Sequence, residues 1–356
     1  MSLALAAGVA HGRIRGGRSS GKQPLASARR NATLAQQPAR LGKVMSTARR
    51  IRIVNCNFEL NGNGDYAKWL AMQKRLADLR PTILCRQETF GYAPTGRGAT
   101  LFGESKRITK LVGDLGPGKH ATALYYDPEV FEQITPWDTE WPGWLLHPTA
   151  MTLRVRGTRD VDVVAGCAHL SYNSPTKRRA EAEDLTRLAD RVESYANGRG
   201  MVKRKLPVLA IGMDSNSYVA PDRLVPGELP LPRLDDIADL PHRAHRSYEI
   251  APGQWVMDSE PDRILLTAGL EDVARHAALQ PGGPGLAAVA PTVDACDTHG
   301  PAHRVDRIYT TSWLLPAVVE VEVVDMTGLS DHHTVVVTYD LDTVIDLYRA
   351  RFALTA

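Results

Sequence analysis

Gly328-Leu329-Ser330-Asp331-His332-His333 runs directly into the apolar stretch 334–339. An acid and an imidazole therefore stand at the mouth of what reads as a buried strand. A carboxylate is a hard oxygen donor suited to a divalent cation, and histidine is the side chain that titrates nearest neutrality. Together they suit metal-assisted hydrolysis. Alone, the dipeptide reads as a solvated turn; the reading changes only if other strands carry polar residues in the same way.

Several do. Alternating or continuous apolar runs at 51–58, 82–85, 161–168, 207–211 and 304–311 read as strands. They end on or carry Asn57, Gln87-Glu88, His169, Asp214-Ser215-Asn216 and Asp306. Further strands are expected at 121–126, 149–155 and 318–324. Between them, 65–79 predicts a helix with Trp69, Met72, Leu76 and Leu79 on one face. A second helix is expected over 174–196, with Ser174-Pro175 at its start and Leu185, Leu188, Ala189 and Val192 inward. A short helix is expected over 231–240, and Asp342 opens a closing helix carrying Val344, Leu347, Tyr348 and Arg351. Arg178, Arg179, Asp235, Asp236 and Asp239 read as solvated charge. Trp137, Trp141 and Trp144 form either a plug under a loop or an aromatic wall on which a ring stacks. No internal repeat is evident.

The chain of 356 residues is long enough to bury a sizeable core. No apolar run approaches the roughly 18 residues of a membrane span, so no transmembrane segment is expected. Cys56, Cys85, Cys167 and Cys296 are far apart in sequence and read as buried reduced thiols. The net charge of +3 conceals an asymmetry. All the lysines and arginines before Glu59 are uncompensated, so the basicity belongs to the N-terminal tail and the body is mildly acidic. Residues 1–48 lack periodicity and read as a disordered basic tail: a transit-like segment, a nucleic-acid tether, or a mis-assigned start with Met45 the true one. Residues 49–342 read as the catalytic domain and 343–356 as a C-terminal helix. With no convincing secretory signal, a cytoplasmic location is expected.

The collected residues have a consistent chemistry. Glu88, Asp331 and Asn57 are hard oxygen ligands, which favours Mg²⁺ or Mn²⁺ over zinc. Asp306 can orient and charge-stabilise His332, and His169 can bind or protonate a phosphoryl oxygen. Asp-Arg-Ile occurs twice, at Asp262 and Asp306, each acid read as preceding Arg-Ile in an apolar strand. Asp306 is preferred because 304–311 leads by one short strand to Gly328, whereas Asp262 leads into a helix-like stretch and a Gly/Pro-rich loop.

Asn57, Gln87-Glu88, His169-Leu170, Asp214-x-Asn216, Arg304-x-Asp306 and Ser330-Asp331-His332 resemble, in order, the motifs of the endonuclease/exonuclease/phosphatase superfamily, which includes pancreatic deoxyribonuclease. The resemblance covers about Arg50 to Tyr339. It implies an α/β (α+β) four-layer sandwich, two packed mixed β-sheets flanked by helices, with the site at one end of the sheets. It implies Glu88 as chief metal ligand, with Asn57, Asp214, Asn216 and Asp331 around the metal, nucleophile and phosphate, and an Asp306–His332 dyad. The expected function is divalent-metal-dependent hydrolysis of phosphoester bonds, with nucleic acid as substrate or, alternatively, a phosphorylated small molecule or lipid. A non-catalytic nucleic-acid-binding protein on the same fold is the reading from another class.

Overall fold

The computed structural model describes residues 49–92, 96–117, 122–137, 141–197 and 200–353. Alternation along its central strands decides the layers, because successive side chains of a strand face opposite ways. In β1 (Arg50–Asn57), Ile51 and Ile53 pack with Ile83, Cys85, Val163 and Ala165. Val54 and Cys56 face the other way, against Trp69, Met72 and Leu76 of α1 (Tyr66–Asp78).

The first sheet has the order β15 (Val318–Val324), β16 (Thr334–Asp340), β1, β2 (Ile83–Gln87), β4 (Ala123–Tyr126), β3 (Val112–Leu115). The second has the order β13 (Leu270–Asp272), β14 (Asp306–Thr311), β10 (Val208–Asp214), β7 (Asp162–His169), β6 (Thr149–Val155), β5 (Phe131–Pro136). In each sheet one parallel central pair, β1–β2 or β7–β10, is flanked on both sides by antiparallel strands. The sheets pack face to face over an apolar core, to which α6 (Val273–Leu279) and α7 (Leu341–Ala353) also contribute. The outer face of the first sheet is covered by α1 and α2 (Gly96–Thr109). That of the second is covered by Leu185 of α3 (Pro175–Leu185) and Leu265 of α5 (Glu260–Thr267). This is the expected four-layer arrangement. Among the described residues no helix is long and apolar enough to cross a membrane.

At Gly212 the two sheets approach closely. A Cβ there would lie 2.7 Å from Cys85 Sγ and 2.8 Å from Asn55 Oδ1. Around it Gln87 Nε2 donates to Asn55 Oδ1 (2.8 Å), and Asn55 Nδ2 donates to the Met213 carbonyl (3.1 Å). Buried polar groups are thus paired between the sheets where the core turns from apolar to polar.

Several expectations are corrected. The helix expected over 174–196 stops at Leu185, and a 3-10 turn to Asp190 leads into the hairpin β8 (Val192–Asn197)–β9 (Gly200–Lys205). Val192 is exposed, not inward; Val192 to Asn197 alternates as a strand of that hairpin, paired with Gly200 to Lys205. Residues 231–240 form only a 3-10 turn, Leu234–Asp236, and α4 (Leu240–Arg246) begins where that helix was to end. Pro230, Pro232 and Pro241 remove the donors a longer helix needs. Asp262 lies in α5, not in a strand. Arg178 is fully buried, donating to Asp258 (2.7 Å) and the Ser171 carbonyl (2.9 Å). Cys296 is exposed, unlike the other three cysteines. Trp141 and Trp144 are a plug beside Leu185 and Leu188 on the outer face of the second sheet. The expected tail, residues 1–48, lies outside the described residues, as does Ala121, the expected first residue of β4.

Candidate active site

Strand parity explains why polar groups gather. On the inter-sheet face β1 reads Ile51, Ile53, Asn55, Asn57, and β7 reads Val163, Ala165, Cys167, His169. Asp214 ends β10 opposite both His169 of β7 and Asp306 of β14 in the sheet register. Each strand changes from apolar to polar at the same end of the sandwich. Glu88, just beyond β2, has φ +54°, and Asn216, just beyond β10, has φ +48°. That region is ordinary for Asn and costly for Glu, the kind of local strain found at functional sites.

Two sets of contacts result. His169 Nε2 lies 3.2 Å from Asp214 Oδ2. Asn57 Nδ2 reaches the same Asp214 oxygen at 3.0 Å and Glu88 Oε1 at 3.3 Å. The Asn216 backbone N–H donates to Asp214 Oδ1 at 2.8 Å, and the Leu60 N–H donates to Glu88 Oε2 at 2.6 Å. In the other set, His332 Nδ1 is 2.8 Å from Asp306 Oδ2. The two sets meet at Asp214, which with Asp306 and His332 has side-chain donor atoms all within 4.8 Å. Asp331 is exposed at the rim, its carboxylate beside the Ser330 hydroxyl.

The charges follow from burial and neighbours. Burial opposes a charged His332, but Asp306, Asp214 and Asp331 outweigh it and hold the imidazole up at about 10. Burial also opposes a charged His169, and Asp214 overcomes it, raising that imidazole too. Asp214 is buried, yet His169 and His332 hold its carboxyl well below the usual carboxylate range. Asp306 is raised by its burial, against the attraction of His332.

Two positioning residues have only weak sequence signals. Thr292 Oγ1 accepts from the Val305 and Asp306 N–H groups at 3.1 and 3.0 Å, fixing the start of β14. Ser330 Oγ donates to the Asn57 carbonyl (3.1 Å) and accepts from the His332 N–H (3.3 Å), tying the β15–β16 loop to β1. Ser330 adjoins the Asp-His pair in sequence; Thr292 is betrayed only by its contacts. Asp262 is elsewhere: its carboxylate accepts from Tyr309 Oη (2.6 Å), the Ala220 N–H (2.8 Å) and Arg275 (3.2 Å).

The residues fit a hard divalent cation. Asn57 Oδ1 is buried without a hydrogen-bond partner while its amide nitrogen lies between the Glu88 and Asp214 carboxylates. Amide and carboxylate oxygens together are the donors that Mg²⁺ and Mn²⁺ take.

No family model and no curated protein matches the sequence. Solved structures do. Humanized D. rerio TDP2 is similar with a TM-score of 0.52 at 13% identity, over 82% of this chain and 98% of that one. D. rerio TDP2 complexed with single strand DNA product gives 0.51 at 14% identity, over the same 82% and 98%. An endonuclease/exonuclease/phosphatase family protein from Bacteroides thetaiotaomicron gives 0.50 at 15%, over 83% and 96%. At such identities the likeness is one of fold, and with its two mixed sheets between helices this chain has the endonuclease/exonuclease/phosphatase fold.

Proposed function

We propose that the protein is a divalent-metal-dependent hydrolase of phosphoester bonds, a phosphodiesterase acting on DNA or RNA. One observation carries this reading: the Asp306–His332 pair and the His169–Asp214–Asn57–Glu88 chain converge at one end of the inter-sheet core. Asp306 and Asp214 favour the charged form of the His332 imidazole. In that form it meets the negative charge that grows on the phosphoryl group in the transition state. Asp306 orients that imidazole through Nδ1, leaving Nε2 for substrate. Asp214 stays ionised and, with Asn216, orients the attacking water; His169 binds a phosphoryl oxygen. Glu88 and Asn57, with Asp331 at the rim, would hold the cation. When bound it would neutralise phosphoryl charge and polarise the ester. Nucleic acid is favoured as substrate because D. rerio TDP2, similar in fold, is described in complex with a single-strand DNA product.

The test is turnover of single-stranded DNA, plasmid DNA, RNA, a bis-aryl phosphodiester, inositol phosphates and sphingomyelin, each with Mg²⁺, Mn²⁺ or chelator. Hydrolysis of nucleic acid and the small diester only with metal is expected. Glu88→Gln should lose metal affinity and turnover together. Undiminished turnover in chelator would sink the metal assignment, and cleavage confined to inositol phosphates or sphingomyelin would replace nucleic acid as substrate.

A further inference from the structure

Outside the active site the sequence holds two short motifs with metal-ligand spacing, His242-Arg243-Ala244-His245 and Cys296-Asp297-Thr298-His299. They are about fifty residues apart, and the fold brings them together. His242 and His245 are three apart on α4, hence on one helix face. Cys296 and His299 belong to a tight turn closed by Cys296 N–H to Gly300 carbonyl (2.9 Å) and Gly300 N–H to Cys296 carbonyl (2.8 Å). The His242 ring centre is 4.8 Å from that of His299 and 5.7 Å from that of His245. Tetrahedral zinc with Zn–N of about 2.0–2.1 Å sets two imidazole centres roughly 5 Å apart, so the observed spacings bracket what one ion requires.

We propose that His242, His245, Cys296 and His299 form a structural site for zinc, joining α4 to the 296–300 turn. Three further contacts favour this. Asp239 Oδ1 lies 2.9 Å from His242 Nδ1, which fixes the tautomer and leaves Nε2 as donor, the carboxylate–histidine arrangement common behind bound metals. His245 Nδ1 is buried without a hydrogen-bond partner. The His299 N–H points at Cys296 Sγ (3.3 Å), where it would stabilise a thiolate. The nearby cations are engaged elsewhere: Arg243 Nη1 with Asp235 (3.3 Å) and Arg246 Nη1 with the Asn216 carbonyl (2.5 Å). Among the described residues only Asp214, Asp306 and His332 form a group whose donor atoms all lie within 4.8 Å, so zinc binding has to draw the four side chains closer together. The site adjoins the dyad, since the His299 imidazole feels the charges of Asp331 and His332. Its thiolate and imidazoles select a softer ion than the oxygen donors around Glu88.

The test uses the full chain, stripped of metal and titrated with Co²⁺ as a probe of zinc. Cys56, Cys85 and Cys167 are buried and Cys296 is exposed, so a thiolate signal reports on Cys296. One equivalent should produce thiolate-to-cobalt charge-transfer absorption and intense tetrahedral bands, both displaced by Zn²⁺. Cys296→Ser should abolish the charge-transfer band. Asp239→Asn should keep it while weakening affinity about 10–100-fold. Absence of the band in the wild type, or its persistence in Cys296→Ser, would overturn the proposal. Cobalt at the oxygen-rich active site gives no sulfur band, so the two sites are read separately.

Discussion

Two Asp-Arg-Ile triplets look alike in sequence, and their carboxylates do opposite things. Asp306 meets an imidazole, whereas Asp262 is a buried hub for Arg275, Tyr309 and the Ala220 N–H. Burial would raise Asp262, but Arg307 and Arg275 overcome it and hold the carboxyl down at about 2. A folded-state value below the unfolded one, about 3.9, stabilises the fold by about 2–3 kcal/mol above that pH. That contribution is lost as pH falls through about 2. Asp262→Asn is therefore expected to lower the unfolding free energy at pH 7 by at least this amount and to flatten its acid dependence between about pH 4 and 2. Urea denaturation of both proteins across that range checks it; parallel curves would refute the hub. Sequence distinguished the two acids only by the segments downstream of each, a short strand for one and a helix-like stretch for the other. It failed for Arg178, whose partner Asp258 lies far along the chain, because helical periodicity carries no information about long-range ion pairs.

Among elements, strands bordering the site were the most legible, since buried central strands are near-continuous apolar runs with abrupt polar ends. Apolar spacing misleads over 174–196, where a β-hairpin takes the last residues, and over 231–240, where prolines interrupt the helix. The pairing pattern common to the two sheets, a parallel central pair between antiparallel strands, leaves no sequence repeat, because any apolar residue of suitable shape fills a core position. The small residue at the sheet contact is different. At Gly212 an added methyl would meet Cys85 Sγ at 2.7 Å and Asn55 Oδ1 at 2.8 Å. Gly212→Ala should destabilise the protein by about 1–3 kcal/mol through overpacking and lower turnover by displacing Asp214 two residues on. A thermal midpoint and turnover both equal to wild type would show that the sheets can part there without consequence.

For the molecule as a whole, the polar ends of apolar strands name the residues that gather at one end of the sheets, while their approach depends on how two sheets pack. Thus Asn57, Glu88, His169, Asp214, Asn216, Asp306 and His332 could be named from sequence, but not the contact of Asn57 with both Glu88 and Asp214. All of these lie in 49–353, so a chain starting at Met45 should fold and hydrolyse a small diester at the full-length rate. If residues 1–44 tether nucleic acid, their removal should weaken DNA binding and flatten its salt dependence, because fewer counterions are released; an inactive or insoluble truncation would give them a structural role instead. The proposed chemistry turns on Asp306 and His332 acting as one unit on the transition state. The decisive measurement is kcat and KM for a bis-aryl phosphodiester in saturating Mg²⁺, compared across wild type, Asp306→Asn, His332→Ala and the double variant. Asp306→Asn is expected to cut kcat by orders of magnitude with KM nearly unchanged, and the double variant to be little worse than either single one. Additive losses, or an Asp306→Asn enzyme that turns over like wild type, would contradict it.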